Sequence, residues 1–196
     1  MKFLDIIGII EKQIIRGTKL ISNVHKLSEL EELEEPLKSI DVCDLLKKAI
    51  GNLKNAHQSH SIEINIDSHS NNIVIQANDL LLDLFENLLL NAVKHNENSI
   101  IEIIIRISEE KREGLNYIKV EFIDNGIGIE DSSKTTIFTR GSKENNYVGG
   151  MGIGLSLVNL IVERFEGKIW VEDRFKGDPT KGSNFIVMFP AIGIRE

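Results

Sequence analysis

The apolar positions of the first 35 residues recur at helical spacing. Phe3, Ile6, Ile7, Ile10, Ile14, Leu20, Ile21, Val24 and Leu27 form a wide stripe that no proline interrupts. The pattern predicts one long helix from Phe3 to about Glu35, about 50 Å long at about 1.5 Å per residue. A stripe of that width with nothing beside it in sequence needs partners, and an intermolecular helix bundle is the economical source of them. Gln13 and Gly17 break the seam, which argues against a simple two-stranded coil. The acidic run SELEELEE is read as a solvated face, and Pro36 ends the helix.

Beyond Pro36 the period changes several times. Ser39, Ile40 and Asp41 supply a helix start, with Asp41 as N-cap before VCDLLKKAIGNLKNA. Ile62, Ile64 and Ile66 alternate with Glu63, Asn65 and Asp67 as a half-buried strand, and a Ser/Asn-rich turn leads to a second strand, Ile73 to Gln76. After Asn78, DLLLDLFENLLLNAVKH predicts a helix buried on most of its surface. Strands follow at Ile100 to Ile107 and Tyr117 to Ile123, joined by a charged hairpin from Glu109 to Gly114. The segment Glu130 to Gly149 has weak periodicity and is expected to be a long mobile loop. A helix from Gly152 to Phe165 and strands at Lys168 to Glu172 and Ser183 to Phe189 complete an α/β domain behind a helical arm.

Composition narrows the function. With 196 residues and 41% hydrophobic content the chain can build one well-cored domain plus an appendage. A net charge of -7 disfavours nucleic acid or an anionic membrane surface as partner, because both need a basic patch. The single cysteine, Cys43, forms no internal disulfide or multi-cysteine metal site and fits a reducing, cytoplasmic setting. Asp5, Glu11 and Lys12 interrupt the apolar start, so no signal peptide is expected, and no uninterrupted apolar run is long enough to span a bilayer.

Three elements carry candidate chemistry. Asp124-Asn125-Gly126-Ile127-Gly128-Ile129 directly follows a strand. Its glycines allow a tight turn and a close approach to a ligand, and its carboxylate can accept from an exocyclic amine such as that of adenine. Gly149-Gly150-Met151-Gly152-Ile153-Gly154-Leu155 directly precedes a helix, where free backbone amides cradle phosphate. No strand runs into this stretch, which excludes a dinucleotide fingerprint, and no GxxxxGK[ST] is present. Asn87, Asn91 and Lys94 fall on one face of the apolar helix, where two amides and an ammonium need partners. An amide oxygen can ligand Mg²⁺ and a lysine one turn on can neutralise phosphate.

In this order the elements resemble the boxes of the sensor histidine kinases. ENLLLNAVKHN resembles the N box, DNGIGI the first glycine box, TIFTRGSK the F box and GMGIGL the second glycine box, within the wider ATP-binding family that includes gyrase, the Hsp90 chaperones and MutL. GSNFIVMFP resembles the closing strand motif, where the family more often has Thr at the place of Asn184. The resemblance runs from about Ile40 to Pro190. It implies the Bergerat fold, a two-layer α/β sandwich with helices on one face of a mixed sheet and ATP under a flexible lid. It further implies that Asp124 binds the adenine amino group, Asn91 ligands Mg²⁺, and Asn87 and Lys94 lie near metal and phosphates. Gly126, Gly128 and Ile129 then shape the pocket, and Gly150, Met151, Gly152, Ile153, Gly154 and Leu155 form the phosphate cradle. Phe138 anchors the lid, and Arg140 or Lys143 reaches the γ-phosphate. His95 stands where the kinases often have a tyrosine; it flanks the nucleotide as that tyrosine does, or hydrogen-bonds at the helix end.

The same resemblance divides the chain. Residues 1–38 are similar to the second helix of a kinase dimerisation domain with its linker, and residues 39–196 to the catalytic ATP-binding domain. None of the five histidines, His25, His57, His60, His69 and His95, has the context of a phosphoacceptor, so the acceptor histidine is expected on a separate dimerisation domain and the chain to be a truncated or processed piece. Implied partners are ATP and ADP, that domain, a response regulator receiver domain and, in the full-length protein, a second copy. The family's ATPases carry a general-base glutamate four residues before the metal-binding asparagine; here that place is Asn87, which favours phosphoryl transfer over hydrolysis. Two rivals remain: a nucleotide-binding or dimerisation module without transfer activity, and a serine/threonine kinase of the same fold.

Overall fold

A computed structural model describes residues 36–68, 70, 73–139 and 153–191, together with Ile7, Ile14, Gly17, Thr18 and Ile21 of the arm. Those five arm positions are helical, and Ile14 and Ile21 are exposed. The rest of the expected helix from Phe3 to Glu35 lies outside the described residues.

The chain begins its folded part with β1 (Lys38–Asp41), α1 (Val42–Ala56), β2 (Ser61–Ser68) and β3 (Val74–Ala77). It continues with α2 (Leu80–Lys94), β4 (Ile100–Arg112), β5 (Leu115–Asp124), α3 (Ile153–Arg164), β6 (Lys168–Phe175) and β7 (Asp178–Pro190). The main sheet has the order β2-β4-β5-β7-β6, with β2 parallel to β4 and every other pair antiparallel. β1 and β3 form a separate antiparallel pair. This is the mixed-sheet α/β architecture expected. Among the described residues no helix is long and apolar enough to cross a membrane.

Alternation decides which sheet face is covered. Ile101, Ile103, Ile105 and Ile107 of β4, Ile118, Val120 and Phe122 of β5, and Phe185, Val187 and Phe189 of β7 are buried in one cluster. The buried stripes of the helices join it: Leu46 and Ala49 from α1, Leu84, Phe85, Leu88 and Leu89 from α2, and Leu157, Val158 and Ile161 from α3. Each such fully buried large apolar side chain contributes about 1.5–3 kcal/mol relative to exposure. α2 lies between α1 and α3, which is why so much of its surface is apolar.

Local chemistry sets the element ends. Asp41 caps α1 by accepting from the Asp44 amide at 3.0 Å, as its position predicts. α2 is capped differently: Asp79 makes no cap bond, and Asn78 Oδ1 accepts from the Leu80 amide at 3.1 Å. Four strands are longer than hydropathy predicts. β4 and β5 continue through the charged residues to a two-residue turn at Glu113 and Gly114, both with positive φ, so that Arg112 faces Leu115. β6 and β7 likewise extend to a hairpin at Lys176 and Gly177. β1, which the pattern does not announce, pairs Ile40 with Ile75.

Candidate functional site

The end of β5 and the carboxy-terminal end of α2 meet. Gly126 allows this contact: a Cβ there would lie 2.4 Å from the His95 carbonyl oxygen. The Ile127 amide donates to that same oxygen at 3.0 Å, closing the turn onto the helix end. The hairpin between β6 and β7 presses on the turn from another side. Gly128, at φ 74°, would drive a Cβ to within 1.9 Å of the Pro179 carbonyl oxygen, and Gly182, at φ 100°, would place one 2.1 Å from the Asp124 carbonyl oxygen.

Asp124 ends inside this junction, 5% exposed. Its carboxylate accepts from the Gly126 amide at 2.8 Å, the Ser183 amide at 3.3 Å and the Ser183 hydroxyl at 2.5 Å. Burial pushes its pKa above the ordinary carboxylate value, while the three hydrogen bonds and the charge of Arg174 pull the other way. A buried carboxylate with part of its acceptor capacity used can still receive a hydrogen bond from an amino group.

On α2, Asn87, Asn91 and Lys94 share the face that the spacing predicts. Asn87 is 9% exposed; its Nδ2 donates to the Asp83 carbonyl at 2.8 Å, and its Oδ1 lies 3.1 Å from where a Gly154 Cβ would be. Asn87 therefore packs α2 against the start of α3, with Gly154 making room. Glu86 faces the other way and accepts from Asn52 of α1 at 2.7 Å. The Glu86 carboxylate is thus held by α1, away from Asn91. Asn91 buries its Nδ2 without a hydrogen-bond partner among the described residues, so no bond of the described fold fixes that amide. Lys94 is exposed. His95 is the α2 cap residue, and its imidazole has a lowered pKa, first through burial and then through Lys94, which holds it neutral near pH 7.

The remaining candidates divide. Ile129, Phe138 and Leu155 pack against the core, and Phe138 meets Phe185 edge-on with ring centres 6.2 Å apart. Residues 130–139, expected as the start of a mobile loop, are irregular but form successive turns, with the Ile137 amide bonded to the Ser133 carbonyl and Ile137 buried. Arg140, Lys143, Gly150, Met151 and Gly152 lie outside the described residues, as does the Ile153 side chain.

Three contributors carry no announced role in the sequence. Ser183, not its neighbour Asn184, reaches Asp124, because alternation along β7 turns Asn184 to the opposite face, where its Nδ2 donates to Glu121 at 3.0 Å. The Gly182-Ser183 pair before an alternating strand was the available signal. Asn125, within the turn, and Asn96, which donates to it at 2.7 Å, also contribute; Asn125 stands in the DNGIGI stretch, and the run of asparagines after α2 was the signal for Asn96. Among the described residues no group of three His, Cys, Asp or Glu side chains could hold a metal.

Known proteins are similar to this chain in sequence and in fold. Residues 76–192 match the family described as histidine kinase-, DNA gyrase B- and HSP90-like ATPases. The sensor-like histidine kinase SenX3 of Mycobacterium tuberculosis is 30% identical over 191 residues, covering 93% of this chain and 44% of that protein. An uncharacterized sensor-like histidine kinase, ycf26, of Pyropia yezoensis is 29% identical over 186 residues, covering 88% of this chain and 28% of that protein. The chain thus spans less than half the length of these relatives. The solved catalytic domain of the histidine kinase ThkA superimposes with a TM-score of 0.68 at 20% identity, over 80% of this chain and 97% of that one. ThkA in complex with the response regulator protein TrrA gives 0.69 at 19% identity, over 97% and 52%. With a match over 76–192, the chain belongs to the histidine kinase-, DNA gyrase B- and HSP90-like ATPases.

Proposed function

We propose that this domain transfers the γ-phosphoryl group of Mg-ATP to a histidine on a dimerisation domain, in a two-component system whose response regulator then receives it. The observation that carries the proposal is the junction of the Asp124 turn with the end of α2. It sets the buried carboxylate of Asp124 beside the end of the helix bearing Asn91 and Lys94.

In this reading Asp124 accepts from the adenine amino group, with Ser183 holding the carboxylate in place. Gly126, Gly128 and Ile129 shape the base pocket, and His95, neutral at pH 7, flanks it. Asn91 would hold Mg²⁺ through its amide oxygen; the ion neutralises phosphate charge when bound. Lys94 neutralises phosphate beside it, and Asn87 seats the start of α3, where Gly150, Met151, Gly152, Ile153, Gly154 and Leu155 form the phosphate cradle. Phe138 anchors the lid on Phe185, and Arg140 or Lys143 meets the γ-phosphate. The acceptor imidazole nitrogen bonds to the γ-phosphorus as the bond to the β–γ bridging oxygen breaks, and ADP leaves. Asn87 in the general-base place cannot take a proton from water, and Glu86 is bonded to Asn52, which favours a supplied nucleophile. Residues 1–38 act as the partial dimerisation helix and linker, and residues 39–196 as the catalytic unit.

The test is incubation with γ-labelled Mg-ATP and a separately made dimerisation domain bearing its histidine, following protein-bound label and free phosphate together. Acid-labile label on the added domain is expected. Acid-stable label would make the chain a serine/threonine kinase; rapid phosphate release alone would make it an ATPase; binding without label or release would leave a nucleotide-binding module.

A further inference from the structure

We infer that Asn125 is a positioning residue for base recognition: its side-chain amide ties the Asp124 turn to both β4 and α2, and so sets the preference for adenine over guanine nucleotides. The inference rests on the ATP reading above.

The β4–β5 ladder ends with Asp124 opposite Ile103. Past that pair one main-chain bond remains, from the Asn125 amide to the Glu102 carbonyl at 3.3 Å, before the backbone turns away, yet the edge of β4 continues with the Glu102 amide and the Ile100 carbonyl. Asn125 fills the gap with its side chain. Its Oδ1 accepts from the Glu102 amide at 2.9 Å and its Nδ2 donates to the Ile100 carbonyl at 3.0 Å. The orientation of the amide is forced, because a backbone N–H only donates and a carbonyl only accepts. A primary amide thus imitates a peptide group and extends the ladder while the backbone turns away. Among short side chains only asparagine carries both a donor and an acceptor in this geometry.

The same oxygen reaches α2. Asn125 Oδ1 also accepts from Asn96 Nδ2 at 2.7 Å, and Asn96 is the residue after His95, the cap of the helix bearing Asn91 and Lys94. Asn98 adds a bond from its Nδ2 to the Asn125 carbonyl and donates its backbone amide to Asn96 Oδ1 at 3.0 Å. The bracket therefore fixes the distance from the α2 end to the residue next to Asp124. A carboxylate in that place welcomes the amino group of adenine and opposes the carbonyl of guanine, so its placement matters more to one base than to the other.

The experiment is calorimetric titration of the chain with Mg-ATP and with Mg-GTP, for the wild type, Asn125→Ala and Asn96→Ala, each checked by circular dichroism at the assay temperature. Wild-type binding of Mg-ATP checks the ATP reading separately, and a wild-type preference for ATP is required here. Asn125→Ala is expected to weaken Mg-ATP about tenfold and Asn96→Ala about threefold, with Mg-GTP changed by less than about twofold. Should Asn125→Ala fail to fold, Asn96→Ala decides, since it keeps the bonds of Asn125 to β4. Equal weakening of both nucleotides, or no change in ATP affinity in a folded variant, overturns the inference.

Discussion

Gly126→Ala should damage stability and nucleotide binding together, and the size of the damage follows from the turn. The new Cβ would stand 2.4 Å from the His95 carbonyl oxygen and 2.9 Å from Asp124 Oδ1. Carbon and oxygen approach to about 3.3 Å without repulsion, so the turn must retreat by about 0.9 Å. That movement stretches the Ile127 amide bond to His95, now 3.0 Å, beyond hydrogen-bonding range. One hydrogen bond lost at about 1 kcal/mol and over-packing at about 1–3 kcal/mol give about 2–4 kcal/mol of destabilisation. Urea unfolding measures the first consequence and calorimetric titration with Mg-ATP the second, because the Gly126 amide that moves is one of the donors to Asp124. A variant within about 0.5 kcal/mol of the wild type and unchanged in ATP affinity would refute the docking argument.

Other substitutions test other parts. Gly51→Ala, in the middle of α1 with open space where its Cβ would go, should raise stability by about 0.5–1 kcal/mol in the same unfolding assay; a loss would contradict the helix assignment. The folded pKa of His95 is lowered, so its contribution to stability is present above its unfolded pKa of about 6.5 and is lost as pH falls below that. The stability gap between the wild type and His95→Gln should therefore narrow as pH falls from about 6.5, and parallel curves would refute this. Asp124 accepts from adenine more strongly when ionised, and its pKa is raised, so ATP affinity should fall on acidification at a higher pH than an ordinary carboxylate would give. Removing the hydroxyl that holds that pKa down, as Ser183→Ala, should move the fall to still higher pH; an unshifted profile would contradict the role of Ser183.

Much of the fold is legible because burial imposes a period. α2 shows its helical face and β2 its alternation, and the interiors of β4, β5 and β7 follow the same rule. Strand ends are less legible: Glu109 to Arg112 are charged, yet a sheet edge accepts charge on an exposed face, and the turn at Glu113 and Gly114 is what ends the ladder. β1 stays hidden because four residues containing Lys38, Ser39 and Asp41 have no apolar period, and its pairing with β3 is a long-range event. At the site, Asp124 and the glycines are readable because a turn after a strand limits what can stand there. Ser183 and Asn125 are not, since their partners lie 59 and 25 residues away in sequence.

Recognition of the nucleotide base by Asp124 is tested by calorimetric titration of wild type and Asp124→Ala with Mg-ATP, with folding of both verified. Saturable binding by the wild type and none by the folded variant is the predicted result. Tight binding of Mg-ATP by the folded Asp124→Ala variant would contradict the account.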